Sequence, residues 1–318
     1  MLLDLVLVAV GVALLAKAAD EFVVGAARIA IAARLSPVLV GAVIVGFGTS
    51  APEMLVSGIA AANEDAEIGV GNIVGSNVAN LTLVLGAAAL IVPVTILGTT
   101  LRREAPLMVA AVVLFGVLVQ DGLDTTEGLF LLAALVVSLG LIVYWGRTNP
   151  ESELTAEVEE FLDGEGTHPL PREALRTLLG LIGTVIGAQL LVEGAVGIAD
   201  ELGLSGGFVG FTLVAIGTSL PELVTAIAAA RKGEVDLIVG NLLGSNIFNA
   251  LAVGAVVGII GAGPIDADRL VGVGVISMVV VAVVAWAIMA HRRRVHRWEG
   301  VLLLVGYVAT VALIGPTG

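Results

Sequence analysis

Residues 46–80 read GFGTSAPEMLVSGIAAANEDAEIGVGNIVGSNVAN. Within an otherwise apolar run stand Thr49, Ser50, Pro52 and Glu53, then, after a short acidic break, Ser76, Asn77 and Asn80. The arrangement returns 169 residues later without a gap. Residues 215–249 read AIGTSLPELVTAIAAARKGEVDLIVGNLLGSNIFN, carrying Thr218, Ser219, Pro221, Glu222, Ser245, Asn246 and Asn249. Of the 35 aligned positions 14 are identical, chiefly polar and glycine positions. Oxygen-bearing side chains shared by two apolar segments that differ elsewhere imply one binding site built from two halves.

The rest of the chain sets that site in a membrane. Its 318 residues are 58% hydrophobic and 14% charged, with a mean hydropathy of +1.07. A soluble protein of this size carries far more charge. Segment after segment exceeds the length of about 18 apolar residues that crosses a bilayer as a helix. Ten such helices are predicted, at about 2–33, 37–62, 66–92, 100–119, 125–144, 172–202, 206–230, 235–260, 264–290 and 298–314. The expected fold is an all-α polytopic membrane protein. There is no cysteine, so disulfides, thiol catalysis and Cys-based zinc sites are excluded. The net charge of −13 is concentrated in loops, above all Glu151–Glu165.

The repeat spacing equals five helices. Five is odd, so the second half crosses the membrane in the opposite sense to the first. The chain thus divides into a first repeat (1–145), an acidic cytoplasmic linker (146–170) and a second, inverted repeat (171–318). The similarity extends beyond the core, with Gly25-Ala26 matching Gly194-Ala195. Inverted repeats with interrupted helices meeting at the midplane characterise secondary transporters. Charge sets the orientation. Twelve of the fifteen basic residues fall in the loops after the odd-numbered helices, and only Arg269 falls in those after the even ones. Positive charge stays cytoplasmic, which places both termini outside the cell membrane.

Glu53 and Glu222 lie near the middle of predicted spans, where a carboxylate costs about 2.5–3.5 kcal/mol on insertion scales. No basic residue is expected at matching depth, so a bound cation would supply the missing charge. Pro52 and Pro221 each withhold an N–H from the carbonyl four residues back and should kink or break the helix. Thr49 and Ser50 share a helical face with Glu53, as Ser76 does with Asn80 and Ser245 with Asn249. Every group offered is a hard oxygen, which suits sodium or calcium rather than zinc or copper. The spacings Gly71/Gly75 and Gly240/Gly244 would let helices 3 and 8 approach the broken helices closely.

At these residues the chain resembles the sodium/calcium exchanger family. GTSAPE with GNIVGSNVAN is similar to the family's first alpha repeat, and GTSLPE with GNLLGSNIFN to its second. The resemblance covers the whole chain and looks like a short prokaryotic-type member, since the large regulatory loop of animal exchangers is missing. It implies Glu53 and Glu222 as central calcium ligands, assisted by the backbone oxygens of Thr49 and Thr218. It implies sodium sites using Ser50, Ser76, Ser219, Ser245 and the carbonyls of Gly46 and Ala215, with Asn80 and Asn249 lining the middle. Helices 1 and 6, only loosely tied to the core, would slide across a fixed bundle of helices 2, 3, 7 and 8. Many prokaryotic relatives carry aspartate at the position of Asn249; the amide here argues against potassium co-transport and leaves two carboxylates. Two negative charges balance one calcium ion, so exchange against three sodium ions would move net charge.

The expectation is therefore an electrogenic sodium/calcium antiporter working by alternating access. It would not be an enzyme and would need no cofactor. Its partners would be calcium and sodium ions and membrane lipids, with no nucleic acid; the oligomeric state is open, and one chain suffices for the site. A calcium/proton antiporter on the same scaffold is the alternative, and a passive cation channel a weaker one, because buried glutamates in broken helices favour occluding binding over fast exit. Outside the motif, Lys17 is expected to pair with Asp20 or Glu21 within helix 1, and Glu193 to lack a basic partner. The run HRRRVHR (291–297) reads as an anionic-lipid anchor.

Overall fold

The computed structural model describes residues 1–32, 50–148, 169–233, 235–261, 265 and 267–316. In chain order the helices are α1 (Leu2–Ala32), α2 (Ala51–Ala62), α3 (Ala66–Ile91), α4 (Thr100–Asp121), α5 (Thr125–Thr148) and α6 (Leu170–Leu202). They continue as α7 (Gly206–Thr218), α8 (Leu220–Lys232), α9 (235–260), α10 (Leu270–Ala290) and α11 (Arg297–Ile314). A two-residue strand β1 (Val94–Thr95) pairs antiparallel with β2 (Arg294–Val295). It ties the turn after α3 to the turn after α10.

Among the described residues, eight helices are long and apolar enough to cross a bilayer, and α7 with α8 forms a ninth, bent span. The segment before α2, where predicted helix 2 would begin, lies outside the described residues, as do Thr49, Gly46 and most of the expected linker. Several boundaries differ from expectation; the helix expected from 264 begins only after 267. Helix α5 runs on into the stretch assigned to the linker, to at least Thr148, the last residue described before Pro169. Helix α6 starts at Leu170 with Pro171 in its first turn, where a missing N–H costs nothing.

α3 and α9 form the centre. Burial reaches 83% in α3 and 78% in α9, against 28–39% in α4, α5, α10 and α11, whose outer faces carry exposed residues such as Leu129, Phe130, Val136, Leu302 and Val305. Both central helices contain a π-helical turn beginning on an asparagine, Asn80–Val84 in α3 and Asn249–Val253 in α9. Such turns shift the hydrogen-bond ladder by one residue and concentrate at functional sites.

α1 and α6 lie backbone against backbone because glycines line both. A Cβ on Gly11 would stand 2.7 Å from Leu191 N, and one on Gly187 2.7 Å from Leu15 N. This is the small-residue packing of membrane helices. The contacts recur at the repeat spacing. Gly25 faces Glu173 O and Thr177 N, while Gly194 faces Asp4 O and Val8 N. A small apolar cluster including Val8, Leu15, Val56, Ala60 and Leu191 joins this pair to α2, separate from the main core built on α3, α4, α5 and α9.

Ion pairs close both ends of the α1–α6 pair. Arg28 Nη1 meets Glu173 Oε1 at 2.9 Å, and Arg176 reaches Glu21. At the opposite end the N-terminal ammonium contacts Asp4 and Glu201. Glu21 is thus paired across helices rather than with Lys17, because Arg176 on α6 offers a fork that Lys17, exposed on the outer face, does not. The side chain of Asp20 is outside the described set. Glu193 has no cationic partner among the described residues; it accepts from Gln189 Nε2 at 2.8 Å.

Candidate ion-binding site

The break between α7 and α8 brings the two repeat motifs together. Pro221 stands in the first turn of α8, and Ser219 caps it in a non-helical conformation (φ −86°, ψ 7°). α7 and α8 diverge there by 43°. Ser50 adopts almost the same conformation (φ −92°, ψ 5°) before α2, whose first turn holds Pro52. The prolines thus place Glu53 and Glu222 each in the first turn of a helix that starts within the membrane, where unpaired N–H groups face the break.

Close approach is provided by α3. A Cβ on Gly71 would fall 2.5 Å from Gly207 O, and one on Gly75 2.3 Å from Phe211 O and 2.6 Å from the Ala215 Cβ. Only glycine fits these positions, which is the role expected for this GxxxG pair. A Cβ on Gly244 meets nothing within 4 Å among the described residues.

Ten predicted site residues lie among those described, and all are buried: Ser50, Glu53, Ser76, Asn80, Ala215, Thr218, Ser219, Glu222, Ser245 and Asn249. Glu53 is 0% exposed and Glu222 1%. Ser219 Oγ donates to Glu53 Oε1 at 3.3 Å, which joins the halves directly. Ser76 Oγ lies 3.5 Å from Thr218 Oγ1, a second crossing. The Ala215 carbonyl accepts from Ser219 N at 3.0 Å and from Thr218 Oγ1 at 3.3 Å. Ser245 Oγ donates to Asn241 Oδ1 at 3.4 Å.

Many other polar atoms here have no hydrogen-bond partner among the described residues: Ser50 Oγ, Glu53 Oε2, both Glu222 carboxylate oxygens, and both amide atoms of Asn80 and Asn249. Buried polar groups are paired as a rule, and each orphan in hydrocarbon costs several kcal/mol. No ion pair reaches Glu53 or Glu222 among the described residues. No cluster of three acidic, His or Cys side chains able to hold a metal occurs there either, in keeping with a site of two carboxylates and neutral oxygens. Such a donor set of hard oxygens fits a hard cation taken up and released.

Four polar residues were not singled out as ligands from sequence. Asn72 and Ser57 lie beneath the site, hydrogen-bonded to each other at 2.9 Å. Asn77 and Asn246 turn their amide nitrogens onto Ile73 O and Leu242 O and leave Oδ1 unpaired. The signal for three of them was available, since GN and GSN are identical in both motifs.

Beyond the α2–α3 turn an acidic cavity of about 340 Å³ is lined by Glu64, Asp65, Glu67 and Asp200. Partial burial, with the charge of Asp200 adding to it, pushes the Asp65 carboxyl above the usual aspartate range.

The sequence profile of the sodium/calcium exchanger protein family matches residues 3–144 and 173–315. Inner membrane protein YrbG of Escherichia coli is 37% identical over 99% of this chain and 97% of its own. The sodium/calcium exchanger MaX1 of Methanosarcina acetivorans is 29% identical over 96% of both. Among solved structures, the sodium-calcium exchanger NCX_Mj, soaked with Na⁺ and Sr²⁺, superposes with a TM-score of 0.67 at 31% identity, covering 98% of each chain. Two motifs meeting around buried, unpartnered oxygens, and a profile match on either side of the linker, lead to one assignment: the chain is an integral membrane protein of the sodium/calcium exchanger family.

Proposed function

We propose that the protein is a secondary antiporter that exchanges sodium for calcium across the cell membrane by alternating access. The observation that carries this reading is the set of buried, unpartnered oxygens on Ser50, Glu53, Asn80, Glu222 and Asn249. A cation binding there replaces a desolvation penalty with coordination, and the two carboxylates balance a divalent ion. Glu53 and Glu222 are the central calcium ligands. Ser50, Ser76, Ser219, Ser245, Thr49, Thr218 and the carbonyls of Gly46 and Ala215 complete the calcium and sodium positions, with Asn80 and Asn249 between them. With two carboxylates, exchange of several sodium ions for one calcium ion moves charge, and the amide at Asn249 leaves no third acid for potassium.

The architecture proposed is ten membrane helices in two inverted repeats of five. The recurrence of the Gly25 contacts at Gly194, and of the Asn80 π-helical turn at Asn249, supports it. So does β1–β2, which pairs two turns assigned to the cytoplasmic side. Both termini are extracellular in this arrangement. α1 and α6, held to each other by glycine contacts and ion pairs, form the moving element.

Calorimetric titration of calcium into the detergent-solubilised protein, with and without sodium, tests the site. Saturable calcium binding that sodium weakens and Glu222→Gln removes is expected. Calcium binding unaffected by either would place the site elsewhere.

A further inference from the structure

A hydrogen-bond relay of fixed polarity runs beneath the site. It starts from a backbone carbonyl. Ser57 Oγ donates its single proton to Gly69 O at 3.1 Å. That oxygen can then only accept, so the amide beside it must present nitrogen: Asn72 Nδ2 donates to Ser57 Oγ at 2.9 Å and also reaches Glu53 O at 3.4 Å. With nitrogen fixed on that side, Asn72 Oδ1 faces the opposite way. It accepts from Thr218 Oγ1 at 3.1 Å and from Ser76 Oγ at 3.4 Å.

The consequence is for the two hydroxyls. Each carries one proton and two lone pairs. Thr218 Oγ1 also lies 3.3 Å from Ala215 O, but Asn72 Oδ1 at 3.1 Å is the nearer acceptor for its one proton; a proton given to Asn72 leaves only lone pairs for the site, which is what a cation requires. Asn72 differs in this from Asn80 and Asn249. Its amide is satisfied on both atoms across α2, α3 and α7, whereas theirs are unpartnered. The anchor also distinguishes the halves. Asn241 stands 169 residues after Asn72, but Ala226 stands where the repeat would place a second Ser57, and a methyl group cannot accept.

We propose that Asn72, oriented by Ser57, is a positioning residue that turns the oxygens of Ser76 and Thr218 toward the site as cation acceptors, an orientation anchored through a serine hydroxyl in the first half alone. The proposal rests on the antiport reading above. It sets how tightly ions are held, without Asn72 or Ser57 touching them.

The test uses the full chain in proteoliposomes, measuring half-saturating sodium and calcium concentrations, maximal rate and melting temperature for Ser57→Ala, Ser57→Thr and Asn72→Leu. Asn72→Leu should raise half-saturation about tenfold and Ser57→Ala about threefold, the size expected for losing or loosening one hydrogen bond. Maximal rates should change less than half-saturation, and Ser57→Thr, which keeps the hydroxyl, should restore wild-type values. Half-saturation unchanged in both Ser57→Ala and Asn72→Leu would overturn the proposal. So would a fall in melting temperature and maximal rate alone, which marks a purely structural role. If Asn72→Leu does not fold, the Ser57→Ala and Ser57→Thr pair decides, because Ser57 bonds no candidate ligand side chain. Sodium-dependent uptake by the wild type in the same vesicles reports the antiport reading separately.

Discussion

Ser219 Oγ donates to Glu53 Oε1 at 3.3 Å, so a residue at the break of the second repeat holds the central carboxylate of the first. The reciprocal pair does not form: among the described residues, Ser50 Oγ and both carboxylate oxygens of Glu222 are unpartnered. The site is therefore asymmetric although the motifs are alike. Ser219→Ala should weaken calcium binding about ten- to a hundredfold, the worth of a hydrogen bond to a charged group. Ser50→Ala should leave the position of Glu53 unchanged and act on sodium. Calorimetry with each ion separates the two.

Glu53→Gln and Glu222→Gln should each abolish exchange without lowering the melting temperature of the ion-free protein. An amide is cheaper to bury than an unpaired carboxylate, so removing the charge removes a cost while deleting the ligand. Thermal unfolding with and without calcium measures both effects: calcium should raise the melting temperature of the wild type and of neither variant.

Gly187→Val should be far more damaging than Gly140→Ala. A Cβ at Gly187 would stand 2.7 Å from a backbone nitrogen of α1, while one at Gly140 meets nothing within 4 Å. Forcing α1 from α6 is expected to cost about 1–3 kcal/mol, as overpacking does. The detergent melting temperature reads the difference.

Arg28 and Glu173 form a pair whose side chains are 12% and 3% exposed. Glu173→Leu alone removes this carboxylate from Arg28 and should destabilise by about 1.5–3 kcal/mol, the worth of a hydrogen bond between charged groups. Adding Arg28→Met should recover most of that loss, because an apolar pair needs no charge compensation. Denaturation of the single and double variants checks this.

Asp65 is held above the usual aspartate range by burial and by Asp200. Its folded form binds a proton more tightly than the unfolded chain, so its contribution favours folding at low pH and is lost as pH rises through the raised value. Asp65→Asn should therefore stabilise the protein at neutral pH and change little below the ordinary aspartate range. A melting-temperature profile against pH decides.

Much of this was legible in the sequence because a membrane simplifies the rules. Long apolar runs fixed the helices, and oxygen-bearing residues repeated at one spacing marked Glu53, Glu222, Ser219 and their neighbours. What was not legible depends on facing surfaces. Lys17 was expected to pair with Asp20 or Glu21 within its helix, but Glu21 meets Arg176, 155 residues away, which only packing brings near. α1 and α6 were expected to move together across the core, but nothing in the sequence alone shows the glycine contacts that hold them to each other. Asn72 passed unnoticed because its importance lies in Ser57 and Thr218 being placed around it.

Calcium uptake into proteoliposomes tests the central claim most directly. Vesicles loaded with sodium and diluted into sodium-free calcium medium should accumulate calcium, faster when the interior is held positive, because more positive charge leaves with sodium than enters with calcium, while vesicles with only an imposed pH gradient should not. Uptake driven by the pH gradient without sodium, or calcium flux that needs no counter-ion, would contradict it.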